Sequence, residues 1–186
     1  MTYVNENDYH YHVIKCQIRF PKMQGCCAED KKVGSYNHPP KIQTKTLSPG
    51  GQLFVWSARR WLIAAQKKEQ IEMALAHPYQ TAKCPGAAKL LDEIMSILAV
   101  SSFRPVTIRC LHCPVLDNNE WLLIQTLRKL QTNDEKEAAV LVDEFMRGAL
   151  ATTFLRAANL YATSLSKIDK PITRINFLRL VENQNF

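Results

Sequence analysis

At 186 residues the chain has room for one substantial hydrophobic core and too little length for two full domains. Hydrophobic residues make up 46% and charged residues 22%, which places it among folded globular proteins and excludes a wholly disordered chain. The formal net charge of +7 permits attraction to nucleic acid or anionic surfaces but is the signature of neither.

The basic excess sits at the two ends and on the first helical segment, whereas residues 114–150 are net acidic. The opening residues, Met1-Thr-Tyr-Val-Asn-Glu-Asn-Asp8, have no basic stretch followed by an apolar one, so no secretory signal is expected and the sequence points to a cytoplasmic protein. The longest apolar runs, 62–65 and 138–142, fall far short of the roughly 18 residues a membrane span requires. Six cysteines in such a chain read as reduced thiols or metal ligands in preference to a disulfide framework.

Residues 1–47 contain Pro21, Pro39, Pro40, the Cys26-Cys27 pair and a lysine-rich stretch without helical period, the pattern of a largely flexible arm. Within it, residues 12–20 alternate Ile14, Cys16, Ile18 and Phe20 with Lys15, Gln17 and Arg19, which predicts a half-buried strand. A lone strand needs a partner, and the extended segment 106–113 is the one expected to pair with it. Ser48-Pro49 is a helix start: a serine oxygen caps free N–H groups, and proline at the first helical position forfeits no hydrogen bond. The first helix is expected to run to about residue 75 and to be ended by His77-Pro78.

Leu90, Leu91, Ile94, Met95 and Leu98 place a one-faced helix after Cys84-Pro85. Asp117-Asn-Asn-Glu120 and Thr132-Asn-Asp-Glu135 each have the form of a capping box, so two further helices begin there and form an antiparallel pair across a short loop. Gly148 costs a helix about 1 kcal/mol relative to alanine, so the apolar stripe over 134–165 is kinked or split at that point. Asp169-Lys-Pro171 marks a stop, followed by a short closing helix over 172–180 and a polar tail, 181–186. The expected fold is therefore mainly α: a single compact bundle of five to six helices over 48–180, with a minor two-stranded element.

The chemistry-bearing residues are sparse. Cys110-Leu-His-Cys113 with Cys84 upstream offers thiolates, and His77 a fourth ligand, for one tetrahedral zinc ion, although a single C-x-x-C pair is an incomplete zinc signature and His112 is badly placed to share an ion with its flanking cysteines. The same thiols suggest nucleophilic chemistry, with Cys84 placed at a helix N-terminus beside Lys83, where the dipole favours a thiolate. A thioredoxin-type role for Cys110 and Cys113 lacks the required βαβ context. Arg59, Arg60, Lys67 and Lys68, interleaved with Trp56 and Trp61, form a basic helix face able to attract phosphate or another anion. Asp92-Glu93 and Asp143-Glu144 project about 100° apart on their helices, so neither pair is ready for acid–base work. Gly50-Gly51 lacks the spacing and lysine of a phosphate-binding loop.

These features lean away from an enzyme. They favour an intracellular, non-catalytic helical interaction or regulatory protein that binds another macromolecule, most simply a protein, without a resident cofactor. The alternatives are a zinc- or thiol-dependent protein centred on Cys84, Cys110 and Cys113, and a nucleic-acid-associated regulator using the basic face. Oligomeric state leaves no mark in the sequence.

Overall fold

The structure, a computed structural model, describes residues 18–19 and 42–173. Among them six helices form a mainly α, compact bundle: α1 (Pro49–Lys67), α2 (Ile71–Thr81), α3 (Gly86–Ser101), α4 (Asn118–Gln131), α5 (Glu135–Val142) and α6 (Ala149–Ser166). The greater part of the 1–47 arm lies outside the described residues, as do residues 174–180 of the expected closing helix, while Ile172 and Thr173 are not helical.

Ser48 caps α1 as its sequence requires, accepting a hydrogen bond from the Gly51 N–H at 3.3 Å with Pro49 at the first helical position. The helix does not reach residue 75. It stops at Lys67, because Lys68 adopts a left-handed conformation (φ 59°) and the N–H groups of Lys68 and Glu69 turn back onto the Ala64 and Ala65 carbonyls. A lysine fills the position usually given to glycine, so the break has no compositional signal. Arg60 bridges it by an ion pair to Glu69 at 2.5 Å.

Pro78 sits inside α2 and does not end it. Proline removes one intrahelical hydrogen bond, but Leu75 and Tyr79 are both fully buried and hold the helix to the core on either side of it. Tertiary packing overrides the local penalty.

The Asp117 capping box forms as its sequence indicates, with both reciprocal hydrogen bonds present. The second box is displaced: Thr132 closes α4, and Asp134 is the residue that caps α5, its carboxylate accepting from the Glu137 N–H. The stripe is split over 143–148: α5 ends at Val142, and Gly148, with φ 76°, immediately precedes α6 at Ala149.

α3 and α6 form the most extensive helix pair. They run antiparallel, because Ser164 near the end of α6 shares a cleft with Gly86 and Ala87 at the start of α3. Leu91, Ile94, Met95 and Leu98 of α3 share the core with Phe154, Ala158, Tyr161 and Leu165 of α6. At its centre Tyr161 stacks edge-on to Phe54 at 5.8 Å and to Tyr79 at 6.3 Å, and the two tyrosine hydroxyls hydrogen-bond at 2.9 Å.

One extended segment interrupts the helices. The backbones of Ile18–Arg19 (β1) and Val106–Thr107 (β2) pair in parallel, Ile18 opposite Val106, and the rest of the strand expected over 12–20 lies outside the described residues. Beyond β2 the chain passes beneath residues 42–44: Leu116 N–H donates to Ile42 O at 2.9 Å and Thr44 N–H to Pro114 O at 2.8 Å.

Gly50 owes its identity to a close approach. A Cβ there would lie 2.1 Å from the Lys170 carbonyl oxygen, where the chain leaving α6 crosses the start of α1. Gly50→Ala is expected to lower stability by about 1–3 kcal/mol through backbone displacement, read as a lower denaturation midpoint; an unchanged midpoint would show that residues 170–171 yield freely.

Burial pushes the phenols of Tyr79 and Tyr161 well above their ordinary value of 10.0. With both folded values raised, the stability they contribute is full below about pH 10 and declines as pH rises beyond it, because the unfolded chain surrenders its phenolic protons first. Denaturation followed across the alkaline range should show that decline in the wild type and a shallower one in the Tyr79→Phe/Tyr161→Phe double variant.

Candidate functional site

The densest polar constellation among the described residues lies where α1, the start of α4 and the extended segment meet. Arg59 projects from α1 into the core and is only 2% exposed. Its Nε donates to Glu120 Oε1 at 2.7 Å and its Nη2 to Glu120 Oε2 at 2.8 Å, a two-pronged ion pair. Nη1 donates to the Cys113 carbonyl at 2.6 Å, and Nη2 also donates to the Val115 carbonyl at 3.0 Å.

Glu120, likewise 2% exposed, accepts two further bonds: from the Arg109 N–H at 3.1 Å and from the Asp117 N–H at 2.9 Å. Four donors thus meet its two oxygens, which fills the carboxylate's acceptor capacity. Burial by itself disfavours the Arg59 charge, and the hydrogen bond and negative charge of Glu120 more than compensate, leaving the guanidinium pKa above its ordinary value. The glutamate was legible in the sequence as the fourth residue of the Asp117 capping box. Its second role, as counter-ion to a residue 61 positions upstream, has no local signal.

The basic face expected on α1 is therefore corrected at Arg59, which faces inward and is engaged on both edges of its guanidinium. The residue follows the buried positions Phe54, Val55 and Ala58 around the helix. Arg60 is partly buried and paired with Glu69, whereas Lys67 and Lys68 are exposed at the helix end. The four side chains do not make one cationic surface.

The cysteines separate in the same way. Cys113 is buried and Cys110 half-buried, joined by a turn in which the Cys113 N–H donates to the Cys110 carbonyl at 3.1 Å. Cys84 lies elsewhere, with Gly86, Ala87, Lys89, Leu90, Glu93 and Ser164 around a cleft of about 440 Å³ between the start of α3 and the end of α6. His77 is exposed on α2 and His112 on the turn between the two cysteines. Among the described residues no group of three or more His, Cys, Asp or Glu is placed to hold a metal ion.

The expected activation of Cys84 is corrected too. Burial raises its thiol pKa, which disfavours the thiolate, and the charge of Lys170 opposes this only in part. Of the paired acids, Asp92 accepts from the buried Trp61 Nε1 at 2.6 Å, and its neighbour Glu93 faces the cleft. Among the described residues no helix is long and apolar enough to cross a membrane.

No family model, curated protein or solved structure matches this chain.

Chemically, the Arg59–Glu120 centre fastens a loop. Its polar atoms are consumed by one another and by the backbone of residues 109–117. Removing one partner leaves the other charged and unpaired in the interior, so Arg59→Met or Glu120→Leu alone should cost about 3–5 kcal/mol. The double variant is expected to be less destabilised than the sum of the singles, because it buries no orphan charge. Urea titration of the four proteins measures this coupling, and strict additivity would show that the pair does not act as a unit.

Proposed function

We propose that this chain is an intracellular, non-catalytic helical protein whose role is to bind another protein. The observation that carries the reading is an apolar corner where α3 ends and α6 begins. Val100, Phe103 and Leu150 are 45%, 56% and 46% exposed there. All three stand at the same end of the antiparallel α3–α6 pair, where the Phe103 N–H donates to the Phe145 carbonyl at 3.0 Å and the Arg147 guanidinium lies 5.1 Å above the Phe103 ring. An exposed aromatic ring with aliphatic neighbours and a stacked arginine has the composition that protein interfaces favour at their centres.

The buried ionisable groups support the same reading, since Arg59 and Glu120 fasten the fold and Tyr79 and Tyr161 pair inside it. The zinc alternative would need Cys84, which lines the α3–α6 cleft, to stand beside the C-x-x-C turn. A nucleic-acid role would rest on Lys67 and Lys68 once Arg59 is inside and Arg60 is paired.

A photo-crosslinking amino acid placed at position 103 in cells is expected to give one dominant protein adduct. The same residue at the exposed Glu137 should not give it, and Leu150→Asp should abolish it without lowering the denaturation midpoint. Equal labelling from both positions would remove the corner as the binding surface.

A further inference from the structure

The turn carrying the two cysteines has a property that the helical reading does not use. Cys110 and Cys113 stand at the first and fourth positions of a hydrogen-bonded turn through Leu111 and His112, closed by the 3.1 Å bond from the Cys113 N–H to the Cys110 carbonyl. Such a turn holds its terminal Cα atoms within about 7 Å, and a disulfide spans Cα separations of about 4.4–6.8 Å. The backbone separation across this turn is therefore of the size a disulfide spans.

Burial divides their labour. Cys110 is half-buried on the loop, whereas Cys113 is 2% exposed, and Arg59 holds the Cys113 backbone through its carbonyl at 2.6 Å. One residue is partly accessible to a small molecule, and the other is buried.

We infer that Cys110 and Cys113 form a reversible dithiol–disulfide couple, with Cys110 as the attacking thiol and Cys113 as the resolving one, oxidised by a low-molecular-weight disulfide of the glutathione class. In the first exchange the Cys110 sulfur bonds to one sulfur of the small disulfide, whose S–S bond breaks and whose other half leaves as a thiol with the Cys110 proton. In the second, the Cys113 sulfur attacks Cys110, the mixed disulfide breaks, and the second small thiol leaves with the Cys113 proton. The protein loses two hydrogens and the oxidant becomes two thiols. A small dithiol reverses the sequence. This couple is independent of the apolar corner and stands or falls without it.

The test uses the whole chain. After incubation with oxidised glutathione, remaining thiols are alkylated, and the denatured, unreduced protein is digested with trypsin, which leaves residues 110–128 as one peptide. That peptide is expected to be lighter by two hydrogens, to carry no alkyl group, and to regain both sites after dithiothreitol. In Cys113→Ser the reaction should stop with glutathione on Cys110, and in Cys110→Ser position 113 should remain alkylatable only after denaturation. Two alkyl groups on the wild-type peptide after exposure to the oxidant would overturn the proposal, as would a disulfide joining either cysteine to Cys16, Cys26, Cys27 or Cys84. Faster glutathione addition at Cys113 than at Cys110 would overturn the assigned order.

Discussion

The segment between α3 and α4 is the longest non-helical passage among the described residues, and its position depends on one buried ion pair. A guanidinium in the core is tolerable only if its donors find partners, and Arg59 finds Glu120 and the carbonyls of Cys113 and Val115. The constraint acts in both directions. The arginine needs the loop carbonyls to complete its shell, and the loop needs the arginine because its own backbone there is not part of a regular element. Glu120 adds the start of α4 to the same knot through Asp117, and Arg109 through its N–H. Helix, loop and helix are thereby registered by a single centre, which hydrophobic contacts, being non-directional, would not do as specifically.

This arrangement explains how far the sequence could be read. Helix faces were legible because burial repeats at helical spacing: Leu91, Ile94, Met95 and Leu98 are all interior, as their periodicity requires. Starts with side-chain caps were legible at Ser48 and Asp117. Breaks made by backbone conformation were less so. Gly148 announced its own, since glycine is the residue for φ above zero, whereas Lys68 turned left-handed with no compositional trace and Pro78 was carried through a helix by the anchors beside it. At Thr132-Asn-Asp-Glu135 the box pattern was present but two candidate caps stood two residues apart, and the structure uses Asp134.

The candidate site was less legible than the fold. A long cationic side chain on a helix is ordinarily solvated, and nothing within a few residues of Arg59 distinguishes it from Arg60. What differs is tertiary: Arg59 lies on the arc with Phe54, Val55 and Ala58, and its carboxylate partner comes from a helix far along the chain. Helical phase could have raised the question, since Arg59 is one residue past Ala58 and four past Val55, but phase alone does not supply the counter-ion. The same limit applies to the thiols. Spacing brings Cys110 to Cys113 through a turn, whereas only the packing of α3 against α6 decides that Cys84 faces a different cleft.

The apolar corner lies where two phenylalanines meet with opposite fates. Where α5 ends, the chain must turn to enter α6, and Phe145 and Phe103 arrive at the same point, linked by the Phe103 N–H to Phe145 carbonyl bond. Phe145 takes the inner place, 1% exposed and edge-on to Phe154 at 5.7 Å. Phe103, joined to Phe145 by that backbone bond, is exposed beneath Arg147. The stacked guanidinium restricts the ring on one face, so covering its exposed apolar surface would add apolar burial at a reduced cost in side-chain entropy.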